Sequence, residues 1–344
     1  MGNSQISEVD HHKHLGVIFD RHMDWNKHID YIVKKASKRV ESMRRISHIV
    51  PRKSLVNLYK CLVQPILEYA CVAFDNIDNT KSKLLENVQI QAAIVCTGGF
   101  RLTSHDKLLD ELGWVPLEKR REMFRILLMH RIVSNQAPNY LQRLVPQMGP
   151  GRLRYTLRND EELRIFHPRL TCFRESFFPK TTREWNAIGN DELKSCESHK
   201  IFKSIIRSMY LPKKSCKLFI LGDVVTAKHM ARMRMGLNHL NYYLHCIGVK
   251  DNPSCSLCNL NDIEDVIHFM LICPQFRCQR TELYKAINTI IPQETIDAMS
   301  DLHLCTNLLY GFSLYTTRKN TVILYYKVLK FVHDSKRFTD LINT

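Results

Sequence analysis

The chain has 344 residues, and its 50 Lys and Arg against 34 Asp and Glu give it a formal net charge of +16. Its 44% hydrophobic and 24% charged residues are typical of a globular protein and exclude collagen-like, linker-like and disordered sequences. A positive excess of this size favours a polyanionic partner such as nucleic acid and argues against an acidic, cation-binding protein.

The N-terminal region is predicted to contain one short hairpin arm followed by helices. Residues 14–20 read as a strand that enters a polar turn. Asp24 then precedes a long helix, because apolar residues recur at three- and four-residue intervals from Ile29 to Ile46. The opposite face of this helix is basic and carries Lys34, Lys35, Lys38, Arg39, Arg44 and Arg45.

Further helices are predicted along the rest of the chain. The first of them contains Pro65, which lacks a backbone N–H, so we expect a kink or break there. A cluster of Gly and Pro at 146–151 predicts a boundary, and the period-two alternation that follows it predicts short strands. The predicted helices span about 54–67, 81–96, 104–112, 117–134, 199–209, 224–244 and 321–335.

Four potential metal ligands cluster in the C-terminal region. Two residues separate Cys255 from Cys258, a spacing that lets both thiolates of a tight turn face one ion, and His268 and Cys273 follow. The loop between them has few apolar residues, so a metal would supply folding free energy that burial does not. We predict one structural zinc ion, with Cys278 as the substitute ligand. The alternative is a set of four unrelated side chains.

The cellular compartment is predicted from two features that the sequence does not show, a membrane-spanning run and a signal peptide. No apolar run approaches the 18 or so residues that cross a bilayer, and the first thirty residues show no signal-peptide pattern. We therefore predict an intracellular protein, nuclear or cytoplasmic, with no membrane partner. Its twelve cysteines are then reduced thiols or metal ligands.

Motifs of independent enzymes are missing from the sequence. It contains no Asp-Asp pair, whereas two-metal nucleotidyl transferases need carboxylates that hold two cations about 3.5–4 Å apart. It also lacks a phosphate-binding loop, a nucleophile elbow and an H-E-x-x-H helix. We expect no enzyme activity from this chain alone and no catalytic metal.

A series of short motifs runs in order through most of residues 13–280. It begins with K-H-L-G-V-I-F-D at 13–20 and M-D-W-N-K-H-I at 23–29. Later motifs lie at 58–70, 85–89, 112–121, 137–141, 173–179, 185–186 and 231–237, and the Cys/Cys/His/Cys cluster follows them. This order resembles the region after the catalytic palm in non-LTR (LINE-type, jockey-like) retrotransposon reverse transcriptases.

The resemblance implies the thumb and cysteine-rich C-terminal part of an RNA-directed DNA polymerase, with a primer-grip role for Leu15, Gly16 and Val17. The endonuclease, the fingers and the catalytic palm are expected to lie outside this chain. We predict a mainly α fold with a short N-terminal β-hairpin, a thumb-like helical bundle, a mixed middle segment and a small zinc-stapled helical C-terminal region. The corresponding regions are 1–146, 147–220 and 221–344, the last with the zinc motif at 255–273.

The function that fits these observations best is binding of nucleic acid, either RNA or an RNA/DNA duplex. Basic helix faces neutralise backbone phosphates, so the first candidate surface is the basic face of the long helix. The second candidate surface consists of Lys228, Arg232 and Arg234. The alternatives are a zinc-stapled scaffold for protein interaction and a non-functional translated remnant of an element. The oligomeric state is not predicted.

Overall fold

A computed structural model describes residues 8–145, 163–189, 191–211 and 217–338. The main chain of these residues is largely helical and has a short antiparallel hairpin near its beginning, which confirms the predicted fold class. Of the two extended segments predicted after the boundary, the one at 153–158 falls outside the described residues. The prediction of a strand at 163–170 is wrong, because residues 164–170 are irregular and the Leu163 backbone bonds to the Asn186 side chain. Among the residues described, no helix combines the length and the apolar character that a membrane crossing needs.

The regular elements follow one another along the chain in this order. They are β1 (His11–His14), β2 (Val17–Asp20), α1 (Asn26–Ile46), α2 (Arg52–Leu58), α3 (Gln64–Glu68), α4 (Cys71–Phe74), α5 (Asn79–Thr97), α6 (His105–Leu112), α7 (Leu117–Val133), α8 (Asn139–Gln142), α9 (Thr171–Arg174), α10 (Phe177–Asn186), α11 (Asp191–Lys194), α12 (His199–Tyr210), α13 (Val224–Met235), α14 (Asn241–Cys246), α15 (Arg277–Asn288), α16 (Gln293–Asp297), α17 (Asp301–Tyr310) and α18 (Arg318–Asp334). Turns of π-helix occur at Tyr59–Val63 and His268–Ile272, and 3₁₀ turns occur at Lys217–Ile220 and Pro274–Phe276.

The chain divides into two compact units, each built from segments that are separate in sequence. Unit 1 comprises residues 1–40, 60–89 and 114–213, and unit 2 comprises residues 41–59, 90–113 and 214–344. The sequence predicted three consecutive regions, at 1–146, 147–220 and 221–344. Interleaving of this kind depends on contacts between distant segments, which composition and local periodicity do not report.

The hairpin of unit 1 is closed by a two-residue turn. Strands β1 and β2 pair so that His14 lies opposite Val17, and the turn residues Leu15 and Gly16 have φ values of 46° and 85°. Two positive φ angles are typical of a type I′ turn, whose twist matches that of the strands. Gly16 adopts this conformation without strain, whereas Leu15 has a β-carbon that disfavours it.

The start of α1 is held by two carboxylates of unit 1. The Asp24 carboxylate accepts a hydrogen bond from the Asn26 N–H at 2.9 Å, which confirms a helix start beside this residue. Asp20 accepts the backbone N–H groups of Asp24 and Trp25, both at 3.0 Å. Burial opposes the charge on Asp20, but these backbone hydrogen bonds outweigh it and lower the pKa of the carboxyl.

The helix predicted over 54–67 is interrupted, as expected from Pro65. The chain passes from α2 through the π-helical turn Tyr59–Val63 into α3, where Pro65 occupies an early position. Because Pro65 has no N–H to donate, the regular ladder cannot continue through it, and a π-turn absorbs the mismatch. The predicted helix break is therefore confirmed.

Unit 1 has a hydrophobic core formed by helices α7, α10 and α12. Met123, Ile126 and Met129 of α7 pack against the other two helices. Trp185 of α10 and Phe202 of α12 lie against each other, with ring centroids 5.8 Å apart. The helix predicted over 199–209 is thus present as α12, and its apolar face forms one core with those of α7 and α10.

Unit 2 has a larger core in which α13, α15, α17 and α18 pack with the segment that carries the clustered cysteines. The helix predicted over 224–244 is wrong as a single element, because α13 ends at Met235. Gly236 follows with φ +74°, and the Leu237 N–H donates to the Arg232 carbonyl at 2.8 Å. This left-handed glycine cap reverses the chain before α14 begins at Asn241.

Three charged side chains are buried together inside unit 2. The Glu111 carboxylate accepts Arg52 Nη1 at 2.6 Å and Arg234 Nη2 at 2.6 Å. Arg234 also donates to the Tyr325 hydroxyl at 2.8 Å, and its guanidinium lies 3.9 Å from the centroid of the Phe219 ring. Burial disfavours the charge on Arg234, but its hydrogen bonds to Glu111 and the charge of that carboxylate outweigh burial and raise its pKa.

Candidate functional site

The first two clustered cysteines lie on a short hairpin of unit 2. Ser254 and Ile263 form an antiparallel bridge, and the Cys255 N–H donates to the Asp262 carbonyl at 2.8 Å. The turn before the hairpin is stabilised by the Ser254 N–H, which donates to the Asn252 side chain at 2.8 Å. This local structure places Cys255 and Cys258 on one side of a tight loop.

The other two ligands lie at the two ends of a π-helical turn. His268 begins the turn His268–Ile272, and Cys273 follows it with its N–H bonded to the His268 carbonyl at 2.7 Å. The buried Arg280 side chain donates to the carbonyls of Met270 at 3.0 Å and Cys273 at 2.9 Å. Arg280 therefore satisfies carbonyls that the short turn leaves unpaired. His268 thus lies on a helical turn, and Cys273 lies directly after it.

The four donor atoms converge. The thiol sulfurs of Cys255, Cys258 and Cys273 and a ring nitrogen of His268 all lie within 4.8 Å of one another. Cys255 Sγ is 3.9 Å from Cys273 Sγ, and Cys258 Sγ is 3.5 Å from His268 Nε2. Tetrahedral ligands at metal bonds of about 2.0–2.3 Å are separated by roughly 3.3–3.8 Å. The residues present therefore fit one structural metal ion.

The surroundings of the cluster keep its buried thiols neutral unless a cation lies beside them. Burial raises the pKa of Cys255, and it also raises the pKa of Cys273, so that without a nearby positive charge both groups are neutral thiols. A metal ion reverses this balance because a coordinating thiol is deprotonated. Cys278, the substitute ligand considered from the sequence, is exposed and does not belong to the group of four.

The ring nitrogen of His268 that faces away from the thiols is directed at a carboxylate. His268 Nδ1 is buried and has no hydrogen-bond partner among the described residues, and it lies 3.8 Å from Asp262 Oδ2. Metal-ligating histidines commonly donate their second N–H to a carboxylate, which fixes the tautomer and the ring orientation. A small movement of the Asp262 side chain completes this hydrogen bond.

We expect Asp262→Ala to weaken metal binding about 10- to 100-fold while leaving the four ligands in place. Competition against a chromogenic chelator measures this affinity directly. Asp251→Ala is the matched control, because Asp251 is exposed near the same hairpin and has no contact with the ligands. Equal affinities of the two variants would contradict the role assigned to Asp262.

A buried ion pair attaches the hairpin of unit 2 that carries Cys255 to the segment just after α18. The Glu264 carboxylate accepts Arg337 Nε at 2.7 Å and Arg337 Nη2 at 2.8 Å. The same carboxylate accepts the Asn241 N–H at 2.9 Å, at the start of α14. Because bidentate pairs have strict geometry, Glu264 fixes the hairpin relative to both elements.

The basic face predicted for α1 is exposed to solvent along the whole helix. The six side chains are Lys34, Lys35, Lys38 and Arg39 in unit 1, and Arg44 and Arg45 in unit 2. One of them, Arg44, pairs with Glu41 at 3.3 Å and donates to the Gln91 side chain at 3.0 Å. Because Lys34 and Lys38 are one turn apart, their side chains project from the same face of the helix.

The second predicted basic group is not a solvent-facing surface. Lys228 Nζ donates to the Ser47 carbonyl at 3.0 Å, and Arg232 Nε donates to the Gly98 carbonyl at 2.7 Å. Burial lowers the pKa of both side chains. Arg234 has a side chain only 1% exposed in its pair with Glu111, so its assignment to a nucleic-acid surface is corrected to a role in the core. All three side chains therefore bond to groups of unit 2, the unit to which they belong.

The three residues of the predicted primer grip form the tip of the hairpin. Leu15 is 76% exposed, Gly16 forms the second turn position, and Val17 is buried at the first position of β2. The Tyr69 hydroxyl donates to the Leu15 carbonyl at 2.8 Å. The primer-grip role of this tip remains a prediction from the resemblance.

The chain is similar to a retrotransposon Pol polyprotein. The relative is the "Retrovirus-related Pol polyprotein from type-1 retrotransposable element R1 4" of Nasonia vitripennis, which is 20% identical over 296 residues. The match covers 84% of this chain but 66% of that polyprotein, less than two thirds of its length. No protein-family profile matches the chain, and no solved structure matches it.

This similarity supports a retrotransposon-related protein. It does not by itself assign the chain to one part of a Pol polyprotein.

Three side chains near the hairpin of unit 1 were not predicted as site residues from the sequence, namely Lys13, Tyr31 and Tyr69. Lys13 donates to the Tyr31 hydroxyl at 3.0 Å. The spacing of Tyr31 and Lys35 on α1 was the available signal, since residues four apart on a helix are neighbours.

Proposed function

We propose that this chain is the C-terminal, zinc-containing part of a retrotransposon-derived RNA-directed DNA polymerase, and that it binds RNA or an RNA/DNA duplex. The observation that carries the proposal is the exposed basic face of α1. Its lysines project from one helix next to the hairpin of unit 1, and a duplex backbone offers a regular row of phosphates to such a face. The net charge of +16 adds long-range attraction.

Zinc is the metal that the donor set favours. Three thiolates and one imidazole are the ligands of structural zinc sites, and such sites are closed to solvent by four protein ligands. Cys255, His268 and Cys273 are buried and Cys258 is partly buried, as a closed structural site requires. We therefore propose a stabilising zinc ion with no catalytic role.

Polymerase activity is not proposed for this chain alone. The sequence has no Asp-Asp pair for a two-metal site, and the similarity to a Pol polyprotein covers only part of that protein. The function supported by the remaining residues is to hold a nucleic acid rather than to extend it. Base contacts would have to come from other side chains, because lysine contacts to phosphates carry no sequence information.

The double variant Lys34→Gln/Lys38→Gln is expected to bind an RNA/DNA duplex roughly tenfold more weakly at about 50 mM salt. The slope of log affinity against log salt should fall by about 1 for each lysine that contacts a phosphate. Fluorescence anisotropy over a salt series measures both quantities. Lys200→Gln is the control, because Lys200 is an exposed lysine of unit 1 on another helix, α12.

A second candidate function is a protein-interaction scaffold, and one observation favours it. Leu257, Leu260 and Ile263 are exposed on the metal-binding hairpin of unit 2. Apolar side chains grouped on a rigid loop are typical of interfaces. Unchanged binding in the Lys34→Gln/Lys38→Gln variant, or no binding by the unaltered chain, would contradict the nucleic-acid proposal and favour this scaffold.

A further inference from the structure

A groove of about 400 Å³ lies in unit 1 between the hairpin, α1 and the end of α3. The hairpin contributes Lys13 and Gly16, and α1 contributes Tyr31 and Lys35. Tyr69, directly after α3, forms the opposite wall. The volume lies within the range of sites that hold small organic ligands.

The charged side chains that line the groove are all positive. Within the part of the chain that the structure describes, its lining includes two lysines and no carboxylate. Lys13 Nζ lies 4.4 Å from the centroid of the Tyr31 ring and Lys35 Nζ lies 5.9 Å from it, so both ammonium groups approach one side chain. The hydrogen bond from Lys13 and the charges of both lysines lower the pKa of Tyr31. A groove lined by positive charge favours binding of an anion.

The opposite wall offers an aromatic ring in a fixed position. Tyr69 is 56% exposed, yet its hydroxyl is bonded to the Leu15 carbonyl. A β-carbon at Gly16 would lie 3.3 Å from Tyr69 Cε1, so the glycine allows the ring to lie close against the turn. An aromatic ring held in this way is suited to stacking with a planar group.

The floor of the groove contains a buried polar atom without a partner. His28 is 1% exposed, and its Nδ1 accepts the Ile18 N–H at 3.4 Å. Burial lowers the pKa of His28, so the ring is neutral and its single proton is on Nε2. Nε2 has no hydrogen-bond partner among the described residues. Because this nitrogen is shielded from solvent, it does not face the open groove, and the proposed site does not use it.

We propose that this groove binds a single unpaired nucleotide, with its phosphate held by Lys13 and Lys35 and its base stacked on Tyr69. The proposal rests on the proposed function and names the part of the nucleic acid that this surface recognises. A base within a duplex has both faces covered by its neighbours, so only an unpaired base can stack on Tyr69. Ile32, Pro65 and Ile66 supply the apolar part of the lining.

The test compares three RNA/DNA duplexes by fluorescence anisotropy: a blunt duplex, one with a single-nucleotide overhang, and one whose overhanging nucleotide is abasic. The unaltered chain is expected to bind the overhang roughly tenfold more tightly than the abasic form, since stacking of one base on an aromatic side chain contributes about this much. Tyr69→Leu should remove this difference. Lys13→Gln/Lys35→Gln should weaken binding of the two overhang duplexes more than it weakens binding of the blunt duplex.

Controls separate the groove from the basic face. Lys34→Gln should weaken all three duplexes about equally, because Lys34 is on α1 but does not line the groove. Tyr69→Phe keeps the ring but loses the hydroxyl that bonds to the Leu15 carbonyl, so it should retain the preference if the base stacks on the ring. Loss of the preference in both Tyr69→Phe and Tyr69→Leu would show that they act by disturbing the hairpin, and it would overturn the groove proposal. Equal affinity of the unaltered chain for all three duplexes overturns the groove proposal alone. Absence of binding to any duplex overturns both proposals.

Discussion

The purified chain is expected to contain one zinc ion per molecule, and Cys273→Ser is expected to lose it. The serine oxygen does not replace a thiolate as a zinc ligand, and the remaining three donors surround an open position. We expect the free energy of unfolding of unit 2 to fall by about 4 kcal/mol or more. This is less than the roughly 10–16 kcal/mol of zinc binding by isolated finger peptides, because unit 2 also has its own apolar core.

Two cysteine variants serve as controls for the loss of zinc. Cys305→Ser changes a thiol that is buried in the same core but lies outside the group of four, so it should keep the metal. Cys278→Ser changes an exposed thiol five residues from Cys273 and should affect neither metal content nor stability. Elemental analysis and thermal unfolding of all three variants test the assignment. Metal retained by Cys273→Ser, or lost by Cys278→Ser, would refute the ligand set.

Glu111→Gln is expected to destabilise unit 2 by about 3–5 kcal/mol. The substitution leaves two buried guanidinium groups, Arg52 and Arg234, without the carboxylate that neutralises them. An uncompensated buried charge costs far more than the lost hydrogen bonds alone, whereas an exposed pair contributes little. Urea denaturation followed by circular dichroism measures the change.

The control for the buried cluster is an exposed ion pair. Glu282→Gln removes the partner of Lys285 on the surface of α15, where both side chains are largely exposed, so it should leave stability almost unchanged. A triple variant, Arg52→Met/Glu111→Leu/Arg234→Met, should recover much of the stability lost in Glu111→Gln, since it removes the charges together. A small effect of Glu111→Gln would show that Arg52 and Arg234 find water or other partners.

Local patterns predicted the elements well and the tertiary pairing poorly. The basic face of α1 and the break at Pro65 follow from spacing of three to four residues and from the missing N–H of proline, both of which are local. The metal cluster was also predictable, because a tetrahedral ion dictates ligand type and spacing within about twenty residues. These features need no knowledge of the rest of the chain.

The environment of the cations was not predictable in the same way. Arg234 occurs in a basic run, and its pairing with Glu111 depends on a carboxylate 123 residues away. The groove beside the hairpin likewise depends on Tyr69, which reaches Leu15 across 54 residues. Periodicity reports which face of an element is apolar, but it does not report which distant charge lies against it. A single sequence therefore distinguishes poorly between a surface arginine and a core arginine.

The pair formed by Glu264 and Arg337 has a consequence for biosynthesis. Glu264 is synthesised before Arg337, which follows it by 73 residues. The hairpin that carries Cys255 and Cys258 therefore cannot form this ion pair until Arg337 has been translated. All four metal ligands precede Arg337 by more than sixty residues, which means that an ion can be captured while the C-terminal helices are still being translated. Binding of the proposed zinc ion at that stage would give the later helices a folded surface on which to assemble.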